Sequence, residues 1–451
     1  MSGGRIGAPW RIRHIDLADG VPALGREEGQ GVGRLVVYAW WRGIPLGSVD
    51  ILAKELPLRP SGVLDLLIPA ITPAVGDHLL ASGFSADLPV PRRHLRHRPP
   101  ADLAALLALD SPLDTLAGAV ERSVRAAAEL SVSVVVCTRD RPAELRRCLD
   151  ALGPTRERLR ELIVVDNGPT AETRSVIASY PWATYLAEPR PGLSIARNAG
   201  VARATADIVA FTDDDAVVAP TWAERIVRSF TDPRIMAATG LVLPAELETE
   251  PQIVFERGLG GFGRGFRAIT FDAGFFARMR SHGVPVWRIG AGANMACRRE
   301  AFALVGPFDE RLGPGAAGCG DDSELWYRIL AAGWTCRYDP VAVAHHRHRR
   351  TWAELERQAH AYMRGHVAAL LVQHAKHGDV GNLKRLLGHL PLHYGRLAAE
   401  GALAGFGGRY RLLGREIAGC FSGLGAVPLS DRSARGSSAG SRARAAPPFP
   451  S

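Results

Sequence analysis

Three successive aspartates, Asp213-Asp214-Asp215, close the apolar run DIVAFT at residues 207–212. Like charges a few ångströms apart repel, so such a triplet calls for a cation, and a divalent ion is the simplest remedy. Alternate residues of extended backbone share a face, which lets Asp213 and Asp215 hold one ion at a solvent-facing rim while Asp214 looks elsewhere. Oxygen donors select Mg2+ or Mn2+, whose shells a diphosphate readily completes. A second acidic group, Asp321-Asp322-Ser323-Glu324, opens a helical pattern, where carboxylates also suit the helix dipole. The third group, His345-His346-Arg347-His348-Arg349-Arg350, joins imidazoles able to ligate Mn2+ to guanidinium groups suited to diphosphate. Any one of these could be a solvated surface, but their combination points to metal-assisted chemistry on a phosphorylated substrate.

These residues need a scaffold that brings them together. From residue 131 onward strands alternate with helical segments, the signature of a parallel α/β sheet. Residues 131–138, 161–166, 184–187 and 207–212 read as strands, and 142–152 and 193–204 as helices. Ligands of open parallel sheets lie beyond the carboxyl ends of the strands, so Thr138, Asp166 and the aspartate triplet should share one rim. Farther on, 293–298 reads as a strand, and 300–305, 322–332 and 351–374 as helices. Ahead of the sheet, 34–52 reads as a hairpin with a Gly-Ile-Pro turn, followed by helical patterns at 62–80 and 100–130 and a Pro- and Arg-rich linker at 88–100. The expected organisation is a small accessory domain over 1–130 without a readable site, an α/β domain over 131–350, a helical region over 351–429, and a disordered Ser-, Arg- and Pro-rich tail at 430–451.

The 451 residues, 47% hydrophobic and 22% charged, suffice for two or three domains and exclude a mainly disordered or collagen-like chain. The net charge of +9 gathers in clusters such as residues 92–98 and the tail. A nucleic-acid binder would account for that charge but not for the aspartates, so no nucleic-acid partner is expected. Six cysteines without a C-x-x-C pair, no signal peptide and no long apolar run imply a cytoplasmic protein. The basic, moderately amphipathic segments 351–374 and 394–427 are compatible with peripheral association at the inner face of the cell membrane.

Four motifs, VVVCTRDRP (134–142), IVVDNGP (163–169), GLSIARNAG (192–200) and IVAFTDDD (208–215), resemble in that order the donor-binding half of family 2 glycosyltransferases. Three more, GAGANMACRREAF (290–302), VGPFDERLG (305–313) and GDDSELWYRILAAGW (320–334), resemble the acceptor half. The resemblance spans residues 131–365 and implies the GT-A fold, a Rossmann-like, mostly parallel sheet flanked by helices, here with an N-terminal accessory domain and a helical C-terminal region. It implies Mg2+ or Mn2+ at Asp213 and Asp215 with a histidine after the next strand, His346 in preference to His345 and His348. It assigns donor contacts to Thr138, Arg141 and Asp166 around the base and ribose, to Arg197 and Asn198 near the diphosphate, and to Asp213 and Asp214. The catalytic base falls on Asp322, with Asp321 where the family usually has Glu.

The activity so implied is an inverting transfer of a sugar from a nucleoside diphosphate sugar, with UDP the expected nucleotide, to a hydroxyl. The acceptor would be a glycan, a lipid-linked saccharide or a small molecule, in the manner of polysaccharide biosynthesis. Aromatics at 246–288, from Phe255 to Trp287, could stack on the acceptor. Two rivals are a nucleotide-sugar-binding scaffold without catalysis, which should lack one of the carboxylates, and a nucleotidyltransferase, which should carry a Gly-rich, lysine-containing loop that CTRDRP is not.

Overall fold

A computed structural model describes residues 8–81 and 111–427; the linker expected at 88–100 and the tail expected at 430–451 fall outside them. Near the N-terminus, β1 (Trp10–Asp16) runs parallel to β2 (Arg34–Trp41), which forms a hairpin with β3 (Ile44–Leu52). The turn is Arg42-Gly43 rather than Gly-Ile-Pro, since Ile44 and Pro45 already pair within the hairpin. Both turn residues have positive φ, 48° and 70°. The Asp16 carboxylate holds them by accepting their amide N–H groups at 3.0 and 2.9 Å. One face of this sheet buries Leu35, Val37 and Ile51 against Val63 and Leu67 of the helix Pro60–Ala81. The other delivers Val36 and Tyr38 into the central core.

The central sheet contains β4 (Val132–Thr138), β5 (Glu161–Asp166), β6 (Ala183–Ala187), β7 (Ile208–Asp213), β8 (Ala216–Val218), β9 (Ile235–Pro244), β10 (Ile269–Phe271), β11 (Asn294–Arg298) and β12 (Thr335–His346). Its order is β10-β12-β9-β11-β7-β4-β5-β6, with β8 beside β12. The strands β7, β4, β5 and β6 are parallel, as the alternation of strands and helices predicts. Beyond β7 the sheet is mixed, because β11 runs antiparallel to both β7 and β9. Period-2 alternation sends Val134, Val136 and Val164 to one face, against Leu145 and Leu149 of the helix Pro142–Leu152. Val135, Ile163 and Val165 go to the other face, against Ala196 of the helix Leu193–Arg203.

Between β9 and β12 the register breaks: Asp339 pairs with Gly240 and Val343 with Leu241, so residues 340–342 loop outward. Asn294 fills the gap. Its Nδ2 donates to the carbonyls of Leu241 and Ala342 at 3.0 and 2.9 Å, while its Oδ1 accepts from Trp222 Nε1 at 2.8 Å. Gly240 leaves the necessary room, for a Cβ there would lie 2.1 Å from the Ala342 oxygen. The bulge also pushes Val341 into a cluster with Ile44, Leu46, Leu116 and Val120, fastening the N-terminal residues to the sheet.

Past β12 the helix Trp352–His377 starts at a capping box, in which Thr351 Oγ1 accepts from the Glu354 amide and the Glu354 carboxylate accepts from the Thr351 amide. Residues 380–403 and the helix Leu413–Leu424 bury Tyr394 and Leu413 against its Val367 and Leu370. At Gly365 this helix touches the loop before Asp321, where a Cβ would lie 2.4 Å from the backbone of Cys319. Among the described residues no helix is long and apolar enough to cross a membrane.

Replacing Asn294 with Leu keeps the volume but strands three buried polar groups, each unpaired group costing about 1–3 kcal/mol. Urea unfolding should therefore report a loss of about 3 kcal/mol or more. An unchanged midpoint would mean that the bulge does not depend on this side chain.

Candidate active site

The chain turns sharply at the end of β7 and returns as β8, which pairs antiparallel with β12 so that Ala216 faces His346. This return places residues distant in sequence side by side: His346 Nε2 lies 3.0 Å from Asp215 Oδ1. Asp213, Asp215 and His346 each offer one ligand atom, all within 4.8 Å of one another. Opposite ligands at about 2.1 Å from an ion stand about 4.2 Å apart, so two carboxylates and one imidazole fit Mg2+ or Mn2+ with a small adjustment. The other two histidines turn away. His345 pairs through its backbone with Val217 and meets His14 edge-on at 5.6 Å. His348 sits 3.0 Å from Glu256, with the ring of Phe255 at 4.6 Å.

Three arginines and His346 already counter the acids. Arg141 reaches Asp214 at 3.3 Å and Asp215 at 3.1 Å, and Arg349 lies 3.6 Å from Asp215. Burial alone would raise Asp215, but His346, Arg349 and Arg141 hold it well below the usual carboxylate range. Asp214 accepts from Thr138 Oγ1 at 2.8 Å and is pushed up to about 7, first by burial and then by the charge of Asp215. The solvent-facing rim expected for the pair needs correction: Asp213 keeps 33% of its side chain exposed, but Asp215 only 9%, beneath the arginines.

Arg197 is buried and bridges two segments, 2.5 Å from Asp321 and 3.4 Å from Asp213. It is therefore an internal counter-ion as well as a cavity-lining group. Asn198 lies outside the cavity lining. Its side chain clamps the backbone of Phe308, donating at 3.0 Å and accepting at 2.8 Å. Asp166 is buried behind the rim, where Tyr185 Oη donates to it at 3.3 Å; its neighbour Asn167 lines the cavity instead. Burial raises the Asp166 carboxyl.

Asp322 is the second residue of the helix Asp321–Ala331 and accepts amide N–H groups from Gly292 at 2.9 Å and Ser323 at 2.6 Å. Burial and then the charge of Asp321 push it up to about 6. Asp322, Thr138, Arg141, Arg197, the aspartate triplet and His346 all line one cavity of about 1350 Å³. Sequence reasoning missed Arg349 as an Asp215 partner and Gly292 as a donor to Asp322, although GAGAN signals a close backbone approach. The aromatics expected to stack on a ligand are mostly packed together. Phe271 and Phe276 are buried, whereas Phe255, Phe262 and Trp287 line the cavity, Phe262 lying 4.9 Å from the His346 ring.

Residues 133–304 match glycosyl transferase family 2. A pre-mycofactocin glycosyltransferase from Mycobacterium tuberculosis is 29% identical over 249 residues, covering 54% of this chain and 48% of that protein. The succinoglycan biosynthesis protein ExoM from Rhizobium meliloti is 30% identical over 229 residues, 48% of this chain and 66% of that one. The chain thus spans about half the length of the first of these relatives. Among solved structures, a mannosyltransferase from Pyrobaculum calidifontis in complex with GDP-Man and Mn2+ overlays with a TM-score of 0.44 at 19% identity, covering 68% of this chain and 94% of that one.

Removing Arg197 leaves Asp321 and Asp213 facing each other without their shared counter-ion. Arg197→Leu should lower the unfolding free energy of the metal-free protein at neutral pH by about 3–5 kcal/mol. Denaturant titration checks this, and a loss below about 1 kcal/mol would mean the carboxylates are neutralised by protonation instead.

Proposed function

Because the chain belongs, through residues 133–304, to glycosyl transferase family 2, we propose that it moves a sugar from a nucleoside diphosphate sugar to an acceptor hydroxyl, with inversion at the anomeric carbon. The observation that carries this reading is that the Asp213, Asp215 and His346 donor set and the Asp322 carboxylate line the same cavity. The relatives named as glycosyltransferase and as a succinoglycan biosynthesis protein support the reaction class. UDP is the proposed nucleotide, and the acceptor a glycan, a lipid-linked saccharide or a small molecule met in the cytoplasm or at the membrane face.

In this reading Asp213, Asp215 and His346 hold Mg2+ or Mn2+. A divalent ion there supplies Lewis acidity toward a departing diphosphate. Thr138 and Arg141 flank the nucleotide, with Asp166 behind the base and ribose and Arg197 on the diphosphate side. Asp322 takes the proton of the acceptor hydroxyl as its oxygen attacks. The two backbone amides that bind Asp322 fix its orientation, and a carboxyl pushed up to about 6 is ionised at neutral pH yet more basic than an ordinary aspartate. Attack from the side opposite the leaving group inverts the anomeric carbon in one displacement, with no covalent intermediate.

Incubation with a panel of nucleoside diphosphate sugars, scoring nucleoside diphosphate release with and without Mn2+, tests the reaction class. Asp215→Asn removes one donor from the ligand set and should abolish metal-dependent release. Full turnover by that variant, or undiminished wild-type turnover in excess chelator, would sink the metal-dependent reading.

Asp322→Asn should keep UDP affinity in calorimetry with Mn2+ while transfer falls by roughly a hundredfold or more. The wild-type rate should fall as pH drops through about 6, where the base becomes protonated, and the variant should lack that acid limb. The raised carboxyl also penalises folding: the penalty is absent below the unfolded value of about 4 and complete above the folded value. The metal-free variant should therefore melt higher than wild type at mildly alkaline pH and no higher near pH ~4. Wild-type transfer by Asp322→Asn would move the base elsewhere.

A further inference from the structure

Beyond Asp322 the cavity extends to a wall formed by residues 286–292 on one side and by the C-terminal helices on the other. There Arg385 stacks on Trp287, its Cζ 3.9 Å from the ring centroid, and its Nε donates to His366 Nε2 at 3.3 Å. The His366 ring meets Trp287 edge-on at 4.9 Å. Burial, and then Arg385, push His366 down to about 3, so it is a neutral acceptor and brings no compensating charge. No carboxylate among the described residues pairs with Arg385, and its two terminal nitrogens make no hydrogen bond there; burial pushes the group down to about 10.

Arg264 is a second cation at the same wall. Among the described residues its guanidinium donates only to backbone carbonyls, those of Gly261, Gly263, Trp287 and Gly290, and burial lowers it too. Partly buried charges are normally paired, because desolvation otherwise goes uncompensated. Here the ring stack and the Nε hydrogen bond fix the plane of the Arg385 fork, leaving its terminal nitrogens as the donors a carboxylate or phosphate would engage bidentately.

We propose that the Trp287–Arg385–His366 wall binds an anionic group, a carboxylate or a phosphate, on the acceptor whose hydroxyl faces Asp322. The proposal rests on the glycosyltransferase reading and specifies its acceptor. It also answers an electrostatic problem: seven carboxylates line the same cavity, and of these Asp321 and Asp322 would repel an anionic acceptor unless guanidinium groups at the acceptor end opposed them.

The test uses the full chain with UDP and Mn2+, and three probes followed by saturation-transfer NMR: glucose, glucuronate and glucose 6-phosphate. At least one anion should bind roughly tenfold or more tightly than glucose, glucuronate marking a carboxylate site and glucose 6-phosphate a phosphate site. Arg385→Gln should erase that preference and Arg385→Lys retain part of it, with UDP affinity by calorimetry unchanged in both. Equal binding of all three probes, no binding of either anion, or a preference that survives Arg385→Gln overturns the proposal. Should Arg385→Gln not fold, a full preference for neutral glucose in Arg385→Lys or in the wild type does the same. Failure of the wild type to bind UDP withdraws the underlying reading as well, whereas intact UDP binding without anion preference counts against this wall alone.

Discussion

Five of the seven carboxylates that line one cavity, Asp213, Asp214, Asp215, Asp321 and Asp322, crowd together, and their mutual repulsion is the constraint around which the molecule is built. Arg197 answers it from the inside. It rises from the helix Leu193–Arg203 and binds Asp213 at the end of β7 together with Asp321 at the start of a much later helix. The strand rim and the helix that carries Asp322 are thereby tied through one buried guanidinium. Arg141 closes the same account from the first loop, and Arg349 and His346 from the end of β12.

The compensation is uneven, and the unevenness gives the carboxylates different chemistry. Asp215, with three cationic neighbours, stays ionised far into acid, whereas Asp214, which shares only Arg141, is pushed up to about 7. Among the described residues Asp322 has no direct cation partner and accepts only backbone amides, so it remains basic. Asp213 remains the most open of the triplet. A divalent ion held by Asp213 and Asp215 would share the Asp215 carboxylate with Arg141 and Arg349, so its binding would be coupled to the placement of those side chains.

The surrounding architecture holds this arrangement from three directions. The bulge of β12, sealed by Asn294, sets the register in which β12 reaches β8 and His346 meets Asp215. The N-terminal sheet supports the same strand, with Val341 buried among its residues and His14 against His345. The helix Trp352–His377 closes over the loop before Asp321 at Gly365 and extends the cavity wall past the segment matched to the family. The C-terminal helices therefore contribute lining as well as packing.

Short apolar runs alternating with helical segments were enough to locate β4, β5, β6 and β7 within about a residue, because local burial dictates them. The same runs, ending in charge, pointed to Thr138 and the aspartates, since strand ends of a parallel sheet must converge. Alternation along extended chain likewise separated Asp213 and Asp215 from Asp214. What stayed illegible were the relations made by non-local pairing. Three histidines in six residues look alike in sequence; the pairing of β8 with β12 brings His346 to the aspartates and sends His345 and His348 to other partners. Asn198 sits one residue from Arg197 yet faces the Phe308 backbone, because adjacent positions on a helix diverge by about 100°. The antiparallel insertion of β11, the three-residue bulge and the Trp287–Arg385 contact join segments far apart in the chain, and no local pattern encodes them. The sequence by itself determined which residues are charged and which strands deliver them; only tertiary structure decided which charges neutralise one another, because that depends on distances set by strand register and helix packing.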